Sequence, residues 1–181
     1  MRRLKKLIRK FLGPFTPKGV YRIIIFYIVN HWLSYPGSFG LKRRMLNSLP
    51  QIQLGDNVKV VGPIKTTIPR LIVGHDTWIG KNFYCNGNGS VTIGSNCDIA
   101  PEVIFNTGGH KIGDATHRGG DGIIFCQKVG NGCWIGARST FVNNVEIGSG
   151  CVVAACACVT KDFSNNVVIG GVPAKIIKVL D

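Results

Sequence analysis

The sequence predicts an all-β fold, a parallel β-helix, and three observations carry that expectation. Ile123, Val129, Ile135, Phe141, Ile147, Val153 and Val159 follow one another at six-residue intervals. The next residue is small in many units: Gly130, Gly136, Gly148 and Ala154, and upstream Gly74, Gly80, Gly94 and Ala100 after Val73, Ile79, Ile93 and Ile99. The chain also spends 24 of its 181 residues on glycine, which suits a chain of many corners. A period of six matches neither the 3.6 of a helix nor the plain alternation of a half-exposed strand. It matches a solenoid whose coils have short flat sides, each pointing one aliphatic residue into a narrow shaft.

The first 50 residues form a short basic helical extension. In residues 1–12, Leu4, Leu7, Ile8, Phe11 and Leu12 keep helical spacing while Arg2, Arg3, Lys5, Lys6, Arg9 and Lys10 fill the other positions. Such a basic amphipathic helix lies in a bilayer interface. Pro14 and Pro17 end it. An apolar run follows over residues 23–29, too short for a hydrocarbon core that needs about 20 residues. A second basic amphipathic stretch covers Leu41–Leu49, with Leu41, Met45 and Leu49 on one side and Lys42, Arg43 and Arg44 beside them. Two readings of the extension stand: it binds an anionic membrane surface, or its helices pack on the side of the solenoid.

Residues 51–181 form the second unit, with the solenoid running from near Leu54 to about Phe163 and a C-terminal cap beyond. Cys85–Ser90 shifts the six-residue register by two. Between Phe105 and Ile123 the pattern keeps almost no apolar side chains and gains six glycines, His110, His117, Arg118, Asp114 and Asp121. This stretch reads as a loop extruded from the coil, and repeat proteins place function in such insertions.

Charge and cysteine usage narrow the partners. Residues 1–55 hold eleven Lys and Arg and no Asp or Glu, so they carry most of the net charge of +13. A block of that kind seeks an anionic surface. No nucleic-acid motif accompanies it, so nucleic acid is not expected and an acidic lipid surface leads. Of the seven cysteines, Cys97, Cys133 and Cys151 each fall four residues after an aliphatic, a slot for small inward side chains. Cys156-Ala-Cys158 is a lone pair without the second pair a zinc site needs, and no metal is expected. Reduced thiols point to the cytoplasm.

His110 is the candidate catalytic residue. A neutral imidazole takes a proton from a hydroxyl near neutral pH, and glycines beside it allow a ligand to approach. The group that orients it is open among Asp114, Asp121 and a backbone carbonyl.

Several stretches together resemble the hexapeptide-repeat acyltransferases: residues 79–86 (Ile-Gly-Lys-Asn-Phe-Tyr-Cys-Asn), Ile99-Ala-Pro, Gly109-His110, residues 130–136 (Gly-Asn-Gly-Cys-Trp-Ile-Gly), Val159-Thr-Lys-Asp162 and residues 170–175 (Gly-Gly-Val-Pro-Ala-Lys). The match spans residues 54–181 and is nearest to the maltose, galactoside and nodulation-factor O-acetyltransferases and to the enzymes that decorate capsule and O-antigen. The resemblance implies a left-handed β-helix, a homotrimer with sites between neighbouring subunits, and acetyl-CoA as co-substrate. It implies direct transfer to a sugar hydroxyl with His110 as general base. It also implies acceptor contacts from Asn86, and from His117 and Arg118 in the loop. For the coenzyme it implies Trp134 beside the pantetheine arm, Ala155 through its backbone, Thr160 and Lys161 near the nucleotide end, and Lys175 and Lys178 there too. Residues 1–50 offer no acid to match the family's acceptor-binding acidic residue.

The leading expectation is therefore an O-acetyltransferase acting on a cell-surface polysaccharide or its lipid-linked precursor, cytoplasmic and peripheral at the inner face of the cell membrane. The alternative keeps the coenzyme and changes the acceptor to an antibiotic or other small molecule, such as a free sugar. A zinc enzyme on the same fold would need histidines converging across a subunit interface, and His75, His110 and His117 show no such spacing.

Overall fold

A computed structural model describes residues 16–33 and 36–181. The amphipathic helix expected over residues 1–12 lies outside the described residues. Two helices precede the solenoid. Helix α1, Pro17–His31, starts at Thr16, whose side chain accepts from the Gly19 N–H, with Pro17 at the first helical position. A 3-10 turn, Pro36–Ser38, leads into helix α2, Phe39–Asn47.

Both helices pack on the first coil, each by one side. Ile25, Val29 and Leu33 of the α1 segment are buried. On α2 the expected apolar side is rotated: Leu41 is exposed, and the buried residues are Lys42 and Leu46, followed by Leu49. Lys42 is wholly buried, and its Nζ donates to the carbonyls of Val60 and Val61 at 2.6 and 2.8 Å. A long aliphatic stem with a donor at its tip fits a site that is apolar along its wall and carbonyl-lined at its end.

The solenoid turns through three flat sides per coil. The first coil is β1 (Ile52–Leu54), β2 (Lys59–Val60) and β3 (Ile64–Thr66). The second is β4 (Arg70–Val73), β5 (Trp78–Ile79) and β6 (Phe83–Asn86). The third is β7 (Ser90–Ile93), β8 (Asp98–Ile99) and β9 (Ile104–Asn106). A hairpin of β10 (Gly108–Ile112) and β11 (Gly119–Ile124) then interrupts. The fourth coil is β12 (Cys126–Val129), β13 (Trp134–Ile135) and β14 (Thr140–Phe141). The fifth is β15 (Val145–Ile147), β16 (Val152–Val153) and β17 (Cys158–Val159). An antiparallel pair, β18 (Val167–Gly171) and β19 (Ala174–Val179), closes the end.

Parallel ladders join the coils into three sheets. Side A is β1-β4-β7-β12-β15, side B is β2-β5-β8-β13-β16-β18-β19, and side C is β3-β6-β9-β14-β17. Leu54, Val73, Ile93, Val129 and Ile147 are stacked partners on side A, so successive coils take 19, 20, 36 and 18 residues. The 20 is the two-residue shift read at Cys85–Ser90. The 36 holds the insertion.

That insertion corrects the expected repeat. Ile123 does not point into the shaft; it pairs with Gly109 in the hairpin, and the inward position resumes at Val129. The extruded segment is an antiparallel hairpin and not an irregular loop.

The core is a filled shaft. Phe105 and Phe141 stack at 4.3 Å, and Phe83 lies 5.8 Å from Phe105. One corner repeats in every coil. Asn57, Asp76, Asn96, Gly132, Gly150 and Asn166 all have φ between +55° and +68°, the left-handed region that only Gly, Asn and Asp visit routinely. Beside that corner the Thr77 hydroxyl donates to the Gly94 carbonyl at 3.0 Å. The thiols of Cys97, Cys133 and Cys151 make the same bond in later coils, to Gly130, Gly148 and Ser164 at 3.1–3.2 Å. The expected small inward slot is therefore also a donor slot. Small residues at another corner have a steric cause: a Cβ on Gly136 would sit 2.5 Å from the Ala155 nitrogen of the next coil.

Candidate active site

The hairpin is clamped where it leaves and re-enters the coil. Thr107 is fully buried; its hydroxyl donates to the Asn86 carbonyl at 2.9 Å and accepts the Gly89 N–H at 3.0 Å. Gln127 is buried too, and its Nε2 donates to the carbonyls of Asn106 and Asn143, both at 3.0 Å. Between them, Gly89 has no room for a side chain: a Cβ there would lie 1.8 Å from the Phe125 carbonyl oxygen. Neither Thr107 nor Gln127 was anticipated from the sequence. The signal was available for Gln127, which stands in the column of Val91 and Val145, a polar residue in an inward apolar row.

His110 lies on β10, opposite Gly122 on β11, and is exposed. Its Nδ1 is 2.8 Å from the Gly120 carbonyl oxygen. A carbonyl only accepts, so in the neutral ring the proton sits on Nδ1 and the lone pair on Nε2 is free to accept. Of the three open candidates, the backbone carbonyl is the one in contact. Asp114 is engaged elsewhere: it accepts from the Thr116 hydroxyl at 2.6 Å and from the N–H groups of Thr116 and His117. Those bonds, the hydroxyl first, hold its carboxylate below the usual range. The Phe125 ring underlies Gly109, beside His110.

The other expected site residues fall into two groups. Asn86 ends β6, next to Asn106 on β9, and accepts from the Thr67 hydroxyl at 3.3 Å. His117 and Arg118 lie at the tip of the hairpin, exposed, with an Arg118 nitrogen donating to the Gly113 carbonyl. Thr160 and Lys161 follow β17 at the same C–A edge from which the hairpin emerges, two coils further along. At about 4.8 Å per coil that is roughly 10 Å. The Thr160 carbonyl accepts from Asn143, and the Lys161 ammonium lies over the Phe163 ring.

Trp134 stands apart from them. It is 59% exposed on side B, in one outward row with Val152, Val168 and Lys178. Lys175 is on β19 as well, opposite Gly170, and Ala155 occupies the corner between sides B and C. In a three-sided coil, side B is opposite the C–A edge. One copy of the chain therefore does not bring Trp134, Lys175 and Lys178 to His110. Among the described residues no three of His, Cys, Asp and Glu gather as a metal ion would require.

A stacked three-sided solenoid with a histidine-bearing hairpin at one edge defines a class, and comparison with known proteins gives the class its family. Residues 128–161 match the model of the bacterial transferase hexapeptide, six repeats. The galactoside O-acetyltransferase of Escherichia coli (strain K12) is 32% identical over 160 residues, 85% of this chain and 75% of that protein. The putative colanic acid biosynthesis acetyltransferase WcaF of the same organism is 30% identical over 139 residues, 75% of this chain and 74% of that one. Among solved structures, a galactoside acetyltransferase in complex with coenzyme A superposes with a TM-score of 0.65 at 29% identity, covering 91% of this chain and 81% of that one. The fold is also that of a hexapeptide-repeat acetyltransferase of Vibrio cholerae complexed with acetyl coenzyme A, with a TM-score of 0.77 at 24% identity over 90% of this chain and 86% of that one. The chain belongs to the hexapeptide-repeat acetyltransferases. Its solenoid is the left-handed parallel β-helix of that family.

Proposed function

We propose that this chain transfers the acetyl group of acetyl-CoA to a sugar hydroxyl of a cell-surface polysaccharide or its lipid-linked precursor. The observation that carries this reading is the His110 Nδ1 contact with the Gly120 carbonyl, which presents Nε2 as the accepting nitrogen. In this mechanism Nε2 takes the proton of the acceptor hydroxyl as the oxygen attacks the thioester carbonyl. The C–O bond forms and the C–S bond breaks. The proton then passes from the imidazolium to the departing CoA thiolate, and no acyl-enzyme forms. Asn86, His117 and Arg118 face the acceptor.

The coenzyme residues support a homotrimer in this reading. Trp134, Ala155, Lys175 and Lys178 of one copy complete the site when side B or its corner abuts a neighbour's hairpin edge, where Thr160 and Lys161 sit. The lysines are point charges suited to the phosphates of CoA. The basic first 50 residues hold the enzyme at the cytoplasmic face of the cell membrane, where lipid-linked acceptors are concentrated.

The test is CoA release from acetyl-CoA with free sugars, membrane-extracted glycolipids and soluble small molecules as acceptors, with His110→Ala alongside. Release that requires a glycan and is lost in the variant is the expected result. Release with small molecules alone refutes the glycan acceptor, and release undiminished in His110→Ala refutes the base.

A further inference from the structure

Helix α1 is apolar on both sides. Its inner side packs on the first coil through Ile25 and Val29, with Arg22 turned inward to the Thr66 carbonyl and Asn30 bonded to the Ile64 main chain. Its outer side carries Val20, Tyr21, Ile23, Ile24 and Tyr27, all exposed, and runs on to Trp32. At 3.6 residues per turn, the helical members of that strip cover roughly 160° of the circumference. No Asp, Glu, Lys or Arg falls within the arc; besides the tyrosines its one polar side chain is His31, which stacks on Tyr27 at 4.5 Å with its Nδ1 2.9 Å from the Tyr27 carbonyl. A surface helix ordinarily gives its polar side to water, so an outer side of this kind marks a contact surface.

We propose that the outer side of α1 docks in the plane of an anionic lipid surface, with Ile23, Ile24 and Tyr27 entering the boundary between headgroups and acyl chains. Trp32 flanks them at one end, as an aromatic residue with a polar tip does at headgroup level, while at the other margin the Tyr21 hydroxyl donates to the Ser48 hydroxyl at 2.8 Å and leaves its ring to the surface. This inference rests on the peripheral-membrane reading above and names its surface.

Charge selects the occupant. Residues 1–55 hold eleven cations and no acid, and on the described helices Lys18 and Arg44 are exposed. A second copy meeting the strip through its own α1 would bring the same cations to the contact and repel, whereas acidic lipids neutralise them. Length selects the orientation. Fifteen helical residues span about 22 Å, less than a hydrocarbon core of roughly 30 Å. No helix among the described residues is long and apolar enough to cross a membrane. The helix therefore lies along the surface.

The experiment is flotation of the full chain with phosphatidylcholine vesicles, with and without phosphatidylglycerol. The variant Ile23→Ser/Ile24→Ser/Tyr27→Ser is compared with the native chain, with acetyl-CoA binding and particle mass measured on both. The expected result is binding to the anionic vesicles, a loss of roughly tenfold or more in the variant, and unchanged mass and coenzyme binding. Tyr27→Ser alone, with a smaller loss, serves if the triple variant fails to fold. Native protein that ignores anionic vesicles, or a folded variant that floats as well as native, overturns the proposal. So does a variant of altered mass, because a second copy then covers the strip. Absence of acetyl-CoA binding by the native chain would sink the transferase reading instead, and the vesicle result would still stand by itself.

Discussion

The imidazole of His110 and the carbonyl of Gly120 face each other across the hairpin at 2.8 Å, so the strand opposite fixes the ring and no carboxylate does. That relationship separates two sets of variants. His110→Ala should lower kcat/KM by about 10²- to 10⁴-fold, the usual worth of a general base. Asp114→Asn and Asp121→Asn should stay within a few-fold of native if the carbonyl alone orients the ring. Steady-state CoA release checks all three, and a His110-like loss in either Asp variant would contradict the carbonyl's role.

The hairpin clamp gives a second expectation. Thr107→Val keeps the shape and removes a donor to Asn86 and an acceptor for Gly89. A buried polar group left without its partner costs about 1–3 kcal/mol, so thermal unfolding should move down. Because the clamp sets where the hairpin leaves the coil, kcat should fall as well. Lower stability with native kcat would show that the hairpin keeps its place without Thr107.

In the shaft, Phe141 stacks on Phe105 and is fully buried. Phe141→Ala should destabilise the protein by about 3–5 kcal/mol, the range for emptying an aromatic core position. Denaturant titration of the purified variant reads this directly. A cost below that of a single methylene would mean that the shaft collapses around the gap.

Lys42 makes stability depend on pH. Burial lowers its pKa from 10.5 to about 8. Between those values the unfolded chain binds the proton that the folded chain has shed. Stability therefore rises with pH across that window and falls again as pH drops through about 8. Urea denaturation at several pH values, with Lys42→Met as reference, should show the native chain gaining on the variant from pH 8 towards 10.5. Parallel pH profiles would assign the Lys42 proton equally to both states.

The solenoid was legible because its inward residues recur in the sequence as they do in space. Ile123 shows where that reading fails. The insertion before Val129 adds eighteen residues, a whole number of six-residue units, so the beat stays in phase across a segment that is not coil. Periodicity alone cannot separate an in-phase hairpin from a further coil. Lys42 failed for another reason. Its partners, the carbonyls of Val60 at the end of β2 and of Val61 just after it, meet α2 only in the folded chain. Of the site, His110 and its glycines stood out by residue type. The Gly120 carbonyl could not, since every residue has one.

The third coil closes onto the fourth as if nothing lay between them, with Ser90 beside Cys126 and Ile93 beside Val129. The closure there spans 36 residues instead of 18, one doubling of loop length. The chain entropy of such a doubling is only about 0.6 kcal/mol. A solenoid can thus bear an arm with its own chemistry at almost no thermodynamic disadvantage. If the arm faces the acceptor as proposed, new specificities can arise by remodelling it while the shaft that supports it goes on folding as before.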